Sequence, residues 1–579
     1  MRRKNLSVLT IIMAATLGMT GCGASGSQNT VADQTQVQSE VSADTAEGEA
    51  ATEVTVIENS TVARAGDLSK YADAVQIVLS DDGVTVNGEA AATEAADTNA
   101  VYVSNDIIYY EDKDTYESGN PYGEGTDADK HSAEEAAAHT VVNITQPGTY
   151  QVTGTLSAGQ IFVNVGEEEK DKVTLILNGV DITCEVAPAV LFYEVYECDG
   201  EASEETATKD VDTTNAGAKV IIADGSVNNV TGSYVARIYK DQEEEKKLHK
   251  YDGAFYSKMS MEITSGEAGD GVLNINAENE GLDTELHLTI NGGNINIKSS
   301  NDGINVNEDG VSVCTINGGN LNIQSADGEE GDGIDSNGWL VINGGNVYAT
   351  SNPNSQDAGI DSDMGIYING GTVIAFGNMY DNVEADSTAN TMVLQFTDSS
   401  KGDLVVKDAN DTEVVSFACT ADYTNVVISS DALVEGTYHI YNGETQLSYT
   451  GMMMGMGGGR PQMADGEKPQ MPENGEVPAM ADGERPQMPE GEMPENGERP
   501  QMADGEKPQM PEGGMSENGE RPQMADGEKP QMPEGEMPEN GEMPQRPDGE
   551  GQNPADMSGE KSADFTVEKG VNFFGGVTE

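Results

Sequence analysis

The sequence predicts an all-β chain folded as a parallel β-helix, a solenoid of short strands. Three observations carry this reading. Ile-Asn-Gly-Gly recurs at Ile290, Ile316, Ile342 and Ile368, always 26 residues apart. Apolar residues keep one register around it: Leu288, Cys314, Leu340 and Ile366 stand three before the Asn, and Ile295, Leu321, Val347 and Val373 stand four after. Period-two alternation on both sides of the turn means short, half-buried strands. A second motif, Gly-apolar-Asp/Asn, stands at Gly281, Gly303, Gly333 and Gly359, with spacings of 22, 30 and 26. The strands are therefore constant and the turns vary. A leucine-rich repeat also fits this period, but the copies have few Leu and no amphipathic helix. The nine-residue period of calcium-binding β-rolls is absent. Equivalent residues then stack at ~4.8 Å. This predicts an amide ladder of Asn291, Asn317, Asn343 and Asn369 and places Cys314 in the core.

The remaining segments follow in chain order. Residues 1–22 begin with Arg2, Arg3 and Lys4, then an apolar run from Leu6 to Met19. It is too short to span a bilayer and reads as an export signal. Met19-Thr20-Gly21-Cys22 resembles a lipobox, with Met19 where Leu is usual, so Cys22 is the expected lipidation site. A plain secretory signal with an incidental Cys is the competing reading. Two acyl chains suffice for stable anchoring. The expected location is the extracellular face of a bacterial cell membrane. Residues 23–69, rich in Ser, Thr, Ala, Gln and Glu, read as a disordered stalk.

Residues 70–450 form the expected solenoid domain. Strand patterns at Val141–Ile144, Gly148–Gly154, Ile161–Val163, Val173–Gly179 and Val220–Ile222 extend it upstream. Two inserts interrupt it, Tyr193–Gly217 and Lys240–Lys250, the latter read as a solvated excursion. Cys184 and Cys198 lie near the first insert, where a disulfide is one option outside the cell. Residues 391–450 lose the Asn-Gly-Gly register and read as a cap. Residues 451–562 are a Met/Pro/Glu-rich low-complexity segment holding 17 of the 21 Pro and 17 of the 25 Met. That composition cannot bury a core. Its Met452-Met453-Met454-Gly455-Met456 run is either a spacer or a soft-metal binder. Strand character returns in residues 563–579.

Charge narrows the function. With 30 basic and 102 acidic residues the net charge is −72. Nucleic acid is excluded as a partner, because phosphate binding needs clustered Lys and Arg. Contact with a membrane is expected through the lipid anchor alone. Five Cys in 579 residues are no disulfide framework.

Ser257–Ile263, Gly269–Ile275, Asn301–Asn305, Gly331–Asp335 and the Ile-Asn-Gly-Gly copies resemble the pectate-lyase-like carbohydrate-binding β-helix domain of bacterial surface lipoproteins. Gly148–Tyr150 through Leu177–Asp181 fits the N-terminal part of that family. The resemblance covers roughly residues 71–450. It implies a right-handed β-helix, bound calcium, and attachment to plant cell-wall polysaccharide such as pectic polygalacturonate or cellulose. It also implies binding rather than turnover.

The acidic turns point the same way on physical grounds. Asn305, Asp335 and Asp361 stack on consecutive repeats, as do Asp302 and Asp332, with Asp357 and Asp363 beside the last. Two carboxylates ~4.8 Å apart repel by roughly 3.5 kcal/mol at an effective dielectric of ~20. Either protons are retained or a cation intervenes. Oxygen ligands on Gly-rich turns suit calcium. Asp302, Asn305, Asp332, Asp335, Asp361 and Asp363 are the metal-ligand candidates, with Asp283 and Glu280 next. A solvated acidic ridge that only satisfies turn backbones is the alternative.

No catalytic residue is assigned. Ser299 to Ser400 contains no Lys or Arg against 15 acids, so a lyase base must come from flanks such as Lys258 or Lys298. His287 reads as outward and solvated. Gly-His-Gly and Arg-Ile-Lys motifs are absent, although hydrolysis by paired carboxylates stays open on composition. Strand parity turns Trp339, Tyr348 and Tyr367 outward as candidates for stacking on sugars, with packing under a loop as the competing reading of Trp339. An anionic glycan meets a negative protein, so calcium bridging is required. Calcium-dependent polysaccharide binding is the leading expectation. A pectin-active lyase or hydrolase and a non-enzymatic adhesin or spacer are the alternatives.

Overall fold

The computed structural model describes residues 52–54, 62–113, 131–239, 246–326, 328, 330–451 and 561–579. All belong to the unit Met1–Gly459 with Pro554–Glu579; the other unit, Arg460–Asn553, lies outside the described residues. So do Cys22, most of the stalk and the Met-rich run.

The chain is nearly all β, in three sheets of 24, 8 and 3 strands, and none of them closes on itself among the described residues. One short α-helix, Ala133–Ala137, is held by a capping box between Ser132 and Glu135. Pairing through the repeats is parallel, one repeat to the next. His287–Ile290 pairs with Val313–Ile316, then Trp339–Ile342, then Gly365–Ile368. Asn294–Ser299 pairs with Asn320–Ser325, then Asn346–Thr350, then Thr372–Gly377. A third stack, in the second sheet, runs from Gly253–Ser257 through Glu280–Thr284 and Ile304–Val306 to Ile334–Ser336. All three stacks point apolar residues into one core that includes Leu288, Cys314, Leu340, Ile366, Leu321, Ile304 and Ile334.

The Asn-Gly-Gly turns explain themselves in this register. Asn317, Asn343 and Asn369 each donate their Nδ2 to the preceding Asn Oδ1 at 2.9 Å. Asn291 starts the ladder by donating to Glu262. The second Gly of each motif has positive φ, 106° at Gly293 and 80° at Gly371, where a side chain is disfavoured. Gly333, in the other motif, is needed for close approach. A Cβ there would lie 2.4 Å from the Gly359 carbonyl oxygen one repeat on.

The parallel stacking ends at Thr372–Gly377, whose next partner, Glu413–Ser429, runs antiparallel. That strand forms a long hairpin with Thr391–Asp408. Val571–Val577 joins the hairpin in parallel, and Phe565–Val567 pairs with Gly436–Asn442. A second core forms there around Tyr348, Ile374, Phe376, Phe417, Tyr423 and Phe574.

Several expectations change. Cys184 and Cys198 are both free thiols. Lys246–Lys250 is a strand paired antiparallel to Val235–Tyr239, not a free excursion. The stalk reading fails at Arg64, whose N–H and carbonyl both bond to Val227, and at Gly66, whose N–H donates to Asn178 Oδ1 at 2.6 Å. Thr52–Val54 pairs with Val415–Phe417. These stretches find strand backbone or an Asn side chain to bond to, which composition does not reveal.

Gly333→Ala is expected to cost about 1–3 kcal/mol, because backbone must move to accept the methyl. Urea unfolding of the full chain checks this; an unchanged midpoint would refute the close-approach account.

Candidate functional site

The site lies on the stack that carries Gly-apolar-Asp/Asn. In its register Tyr256, Asp283, Asn305 and Asp335 are successive neighbours. The bridge from Ile334 to Ile360 carries the column on to Asp361. The isoleucines of these strands are buried in the core, so the alternate residues form an acidic column on the other face. Asp302 and Asp332 stand on the turns just before the strands. Each accepts a backbone N–H from the next repeat: Asp332 N–H to Asp302 Oδ1 at 2.7 Å, and Ala358 N–H to Asp332 Oδ1 at 2.6 Å. Gly331 N–H donates to Asp357 Oδ2 at 2.5 Å. The acids thus hold the turns of adjacent repeats together.

Among the described residues, two groups of carboxylates converge. Asp332, Asp335 and Asp361 offer oxygens within 4.8 Å of one another and are half-buried. Asp252, Glu280 and Asp283 do the same deeper in the fold. Burial, reinforced by like charges, holds the carboxyls of Asp332, Asp335, Glu280 and Asp283 well above the ordinary range. Burial is also the main cause that pushes Asp302 up to about 7, Asp361 to about 6 and Asp381 to about 7.

The sequence candidates divide between these groups. Asp332, Asp335 and Asp361 come together. Asp302 is buried above them, and the Asp302 and Asp361 charges act on Asp335. Asp363 is exposed at the end, where its N–H bonds to Ser336 O. Asn305 faces the other way, and its Nδ2 donates to Glu280 Oε1 at 3.0 Å. Asp252 was not among the candidates. The available signal was an acid directly before Gly, present at Asp252, Glu280, Asp302 and Asp332. The Asp252 copy sits one residue out of register, with Gly253 opposite Glu280.

The aromatic candidates also divide. Trp339 is half-exposed, beside a turn that carries exposed Met364 and Asp363. Tyr348 does not reach the surface. It is 4% exposed, packs on Phe376 and donates its hydroxyl to Ala418 O in the C-terminal hairpin. Tyr367 has the Lys209 ammonium 5.1 Å from its ring centroid. Lys209 belongs to the Tyr193–Gly217 insert, which lies over the His287–Gly365 stack. Thr213 Oγ1 bonds Thr289 Oγ1 there at 2.7 Å.

The same insert buries His287, contrary to the outward, solvated reading. Val313 N–H donates to its Nδ1, and its Nε2 lies 3.3 Å from Asp199 Oδ2. Both ring nitrogens are engaged, so this imidazole has no free lone pair for proton abstraction. Lys258 sits 4.2 Å from the Tyr193 ring centroid, and Lys298 is exposed on the Asn294–Ser299 strand. Neither stands in the acidic column.

Comparison with known proteins adds three similarities. Residues 138–412 match a family model described as carbohydrate-binding domain-containing protein. A carbohydrate-binding domain-containing protein of Acetivibrio thermocellus is 31% identical over 179 residues, which is 30% of this chain and 51% of the relative. The chain thus spans about half the length of that curated relative. A solved structure of a polysaccharide lyase-like protein from C. thermocellum, a gadolinium derivative, aligns with TM-score 0.32 and 23% identity over 52% of this chain and 90% of its own.

Because the folded carboxyls bind protons more tightly than unfolded ones near 3.8, their stabilising contribution is complete below that value. It is lost as pH rises through about 6 to 7. Chelator-treated protein should therefore melt at lower temperature at neutral pH than at mildly acidic pH. A melting temperature that rises over this interval would contradict the acidic-column account.

Proposed function

We propose that this protein binds polysaccharide through a calcium-loaded acidic edge of a parallel β-helix, anchored by Cys22 at the outer face of a bacterial membrane. The observation that carries the reading is the family-model match over 138–412, which brackets the acidic column. The relative from Acetivibrio thermocellus supports the same class of ligand. In this reading the three parallel stacks are the faces of the helix, wound right-handed.

The chemistry follows from the placement of the residues. Asp332, Asp335 and Asp361 supply three convergent oxygens, and their raised proton affinity marks the field that a divalent cation would relieve. Asp363 adds charge at the exposed end. Half-burial leaves coordination positions open toward solvent, where a uronate carboxylate of pectic polygalacturonate can bridge. Such a bridge turns repulsion between two anions into attraction. Trp339 and Met364 border this edge and offer apolar surface to a sugar ring. A neutral glycan such as cellulose would use that apolar border and depend less on calcium.

Titration calorimetry of the full chain with polygalacturonate, with calcium and with chelator, tests this reading. Binding should require calcium and release no unsaturated uronide or new reducing ends. Product formation would overturn the binding-protein reading. Asp335→Asn with Asp361→Asn is expected to weaken calcium-dependent binding at least tenfold, or ~1.4 kcal/mol. Trp339→Ala should cost ~1 kcal/mol with calcium affinity unchanged. Undiminished affinity in both variants would remove this edge from consideration.

A further inference from the structure

We infer that Asp252, Glu280 and Asp283, with the Asn305 carboxamide, form an inner calcium site separate from the Asp332–Asp335–Asp361 group. The carboxylate oxygens lie within 4.8 Å of one another. Glu280 is 5% exposed and Asp283 is fully buried. Glu280 Oε2, Asp283 Oδ2 and Asn305 Oδ1 have no hydrogen-bond partner. Their companion atoms are taken: Asn305 Nδ2 donates to Glu280 Oε1, and Asn307 Nδ2 donates to Asp283 Oδ1. The two amides therefore hold the carboxylates by one oxygen each and leave the other unsatisfied. No described Lys, Arg or His pairs with Glu280 or Asp283.

Buried carboxylates without compensation are strongly unfavourable. A proton shared by Glu280 and Asp283 would relieve those two but leave Asn305 Oδ1, which is only an acceptor, without a donor. A cation between the converging carboxylates of Asp252, Glu280 and Asp283 relieves them together, and Asn305, bonded to Glu280, stands beside it to offer its oxygen. The donors are oxygen alone, which selects a hard ion. Their spread matches oxygens on opposite sides of an ion at the 2.3–2.6 Å calcium–oxygen distance. Magnesium prefers to keep several waters, which a buried site does not favour. The ion would clamp three consecutive strands, Gly253–Ser257, Glu280–Thr284 and Ile304–Val306, against the buried Glu280 and Asp283. It would therefore be structural and slow to leave. This inference does not depend on the glycan reading.

Terbium luminescence on the chelator-treated full chain tests it, because Tyr256 is the register neighbour of Asp283 and can sensitise an ion there. Wild type should show tyrosine-excited emission that decays slowly on adding chelator. Glu280→Gln with Asp283→Asn should lose that slow fraction, and elemental analysis should find one calcium fewer. Asp335→Asn with Asp361→Asn should keep it. Tyr251 stands next to Asp252 with its ring 5.4 Å from that of Tyr256, so Tyr251→Phe with Tyr256→Phe leaves the carboxylates in place and should lose most of the slow emission at unchanged calcium content. The slow fraction surviving in either the Glu280/Asp283 or the double-tyrosine variant would overturn the inner site. Failure of polygalacturonate binding would leave these signals untouched, so the two proposals fail separately.

Discussion

Parallel pairing one repeat apart sets the residues of the Asn-Gly-Gly repeats directly on their own equivalents, and the rest of the fold depends on that constraint. For isoleucine, stacking is favourable at once, and the inward positions build a single core. For asparagine it is favourable through side-chain geometry, because each amide both donates and accepts along the ladder. For aspartate the same register is unfavourable. The carboxylates of Asp332, Asp335 and Asp361 are forced together in a half-buried setting, and their raised proton affinity expresses the cost. One geometric rule thus gives a stable ridge along the Asn-Gly-Gly turns and an electrostatically loaded ridge along the Gly-apolar-Asp turns.

The outer faces of the stacks differ because other parts of the chain cover them. The Tyr193–Gly217 insert lies on one, joined through Thr213, Asp199 and Lys209. The C-terminal hairpin, with Tyr423 and Phe417, covers the last strands of another around Tyr348 and Phe376. Asp363 and Met364 stay exposed, next to Trp339 and the end of the acidic column. Charge and apolar surface therefore meet at one edge, which is the arrangement that a calcium-bridged glycan would need.

Much of this could be read from residue order. The 26-residue recurrence of Ile-Asn-Gly-Gly gave the strand register, since a period-two pattern repeated at constant spacing leaves few alternatives. The amide ladder and the column through Asp335 and Asp361 follow from that register alone. Asn305 carries the same motif, yet its side chain turns to Glu280, because an amide bonds to whichever acid lies in reach. Asp252 escaped notice because its strand is one residue out of step with the next.

What the sequence determined by itself was the repeat: which residues lie inside, which turn needs glycine, and which side chains meet their own kind. That information is local and periodic. Tertiary structure alone decided which outward faces stay open. His287 and Tyr348 sit at outward positions by parity, but Asp199 and Ala418, from 88 and 70 residues away, close over them. Parity specifies a direction from the strand. Whether that direction ends in water depends on distant segments that share no pattern with the repeat.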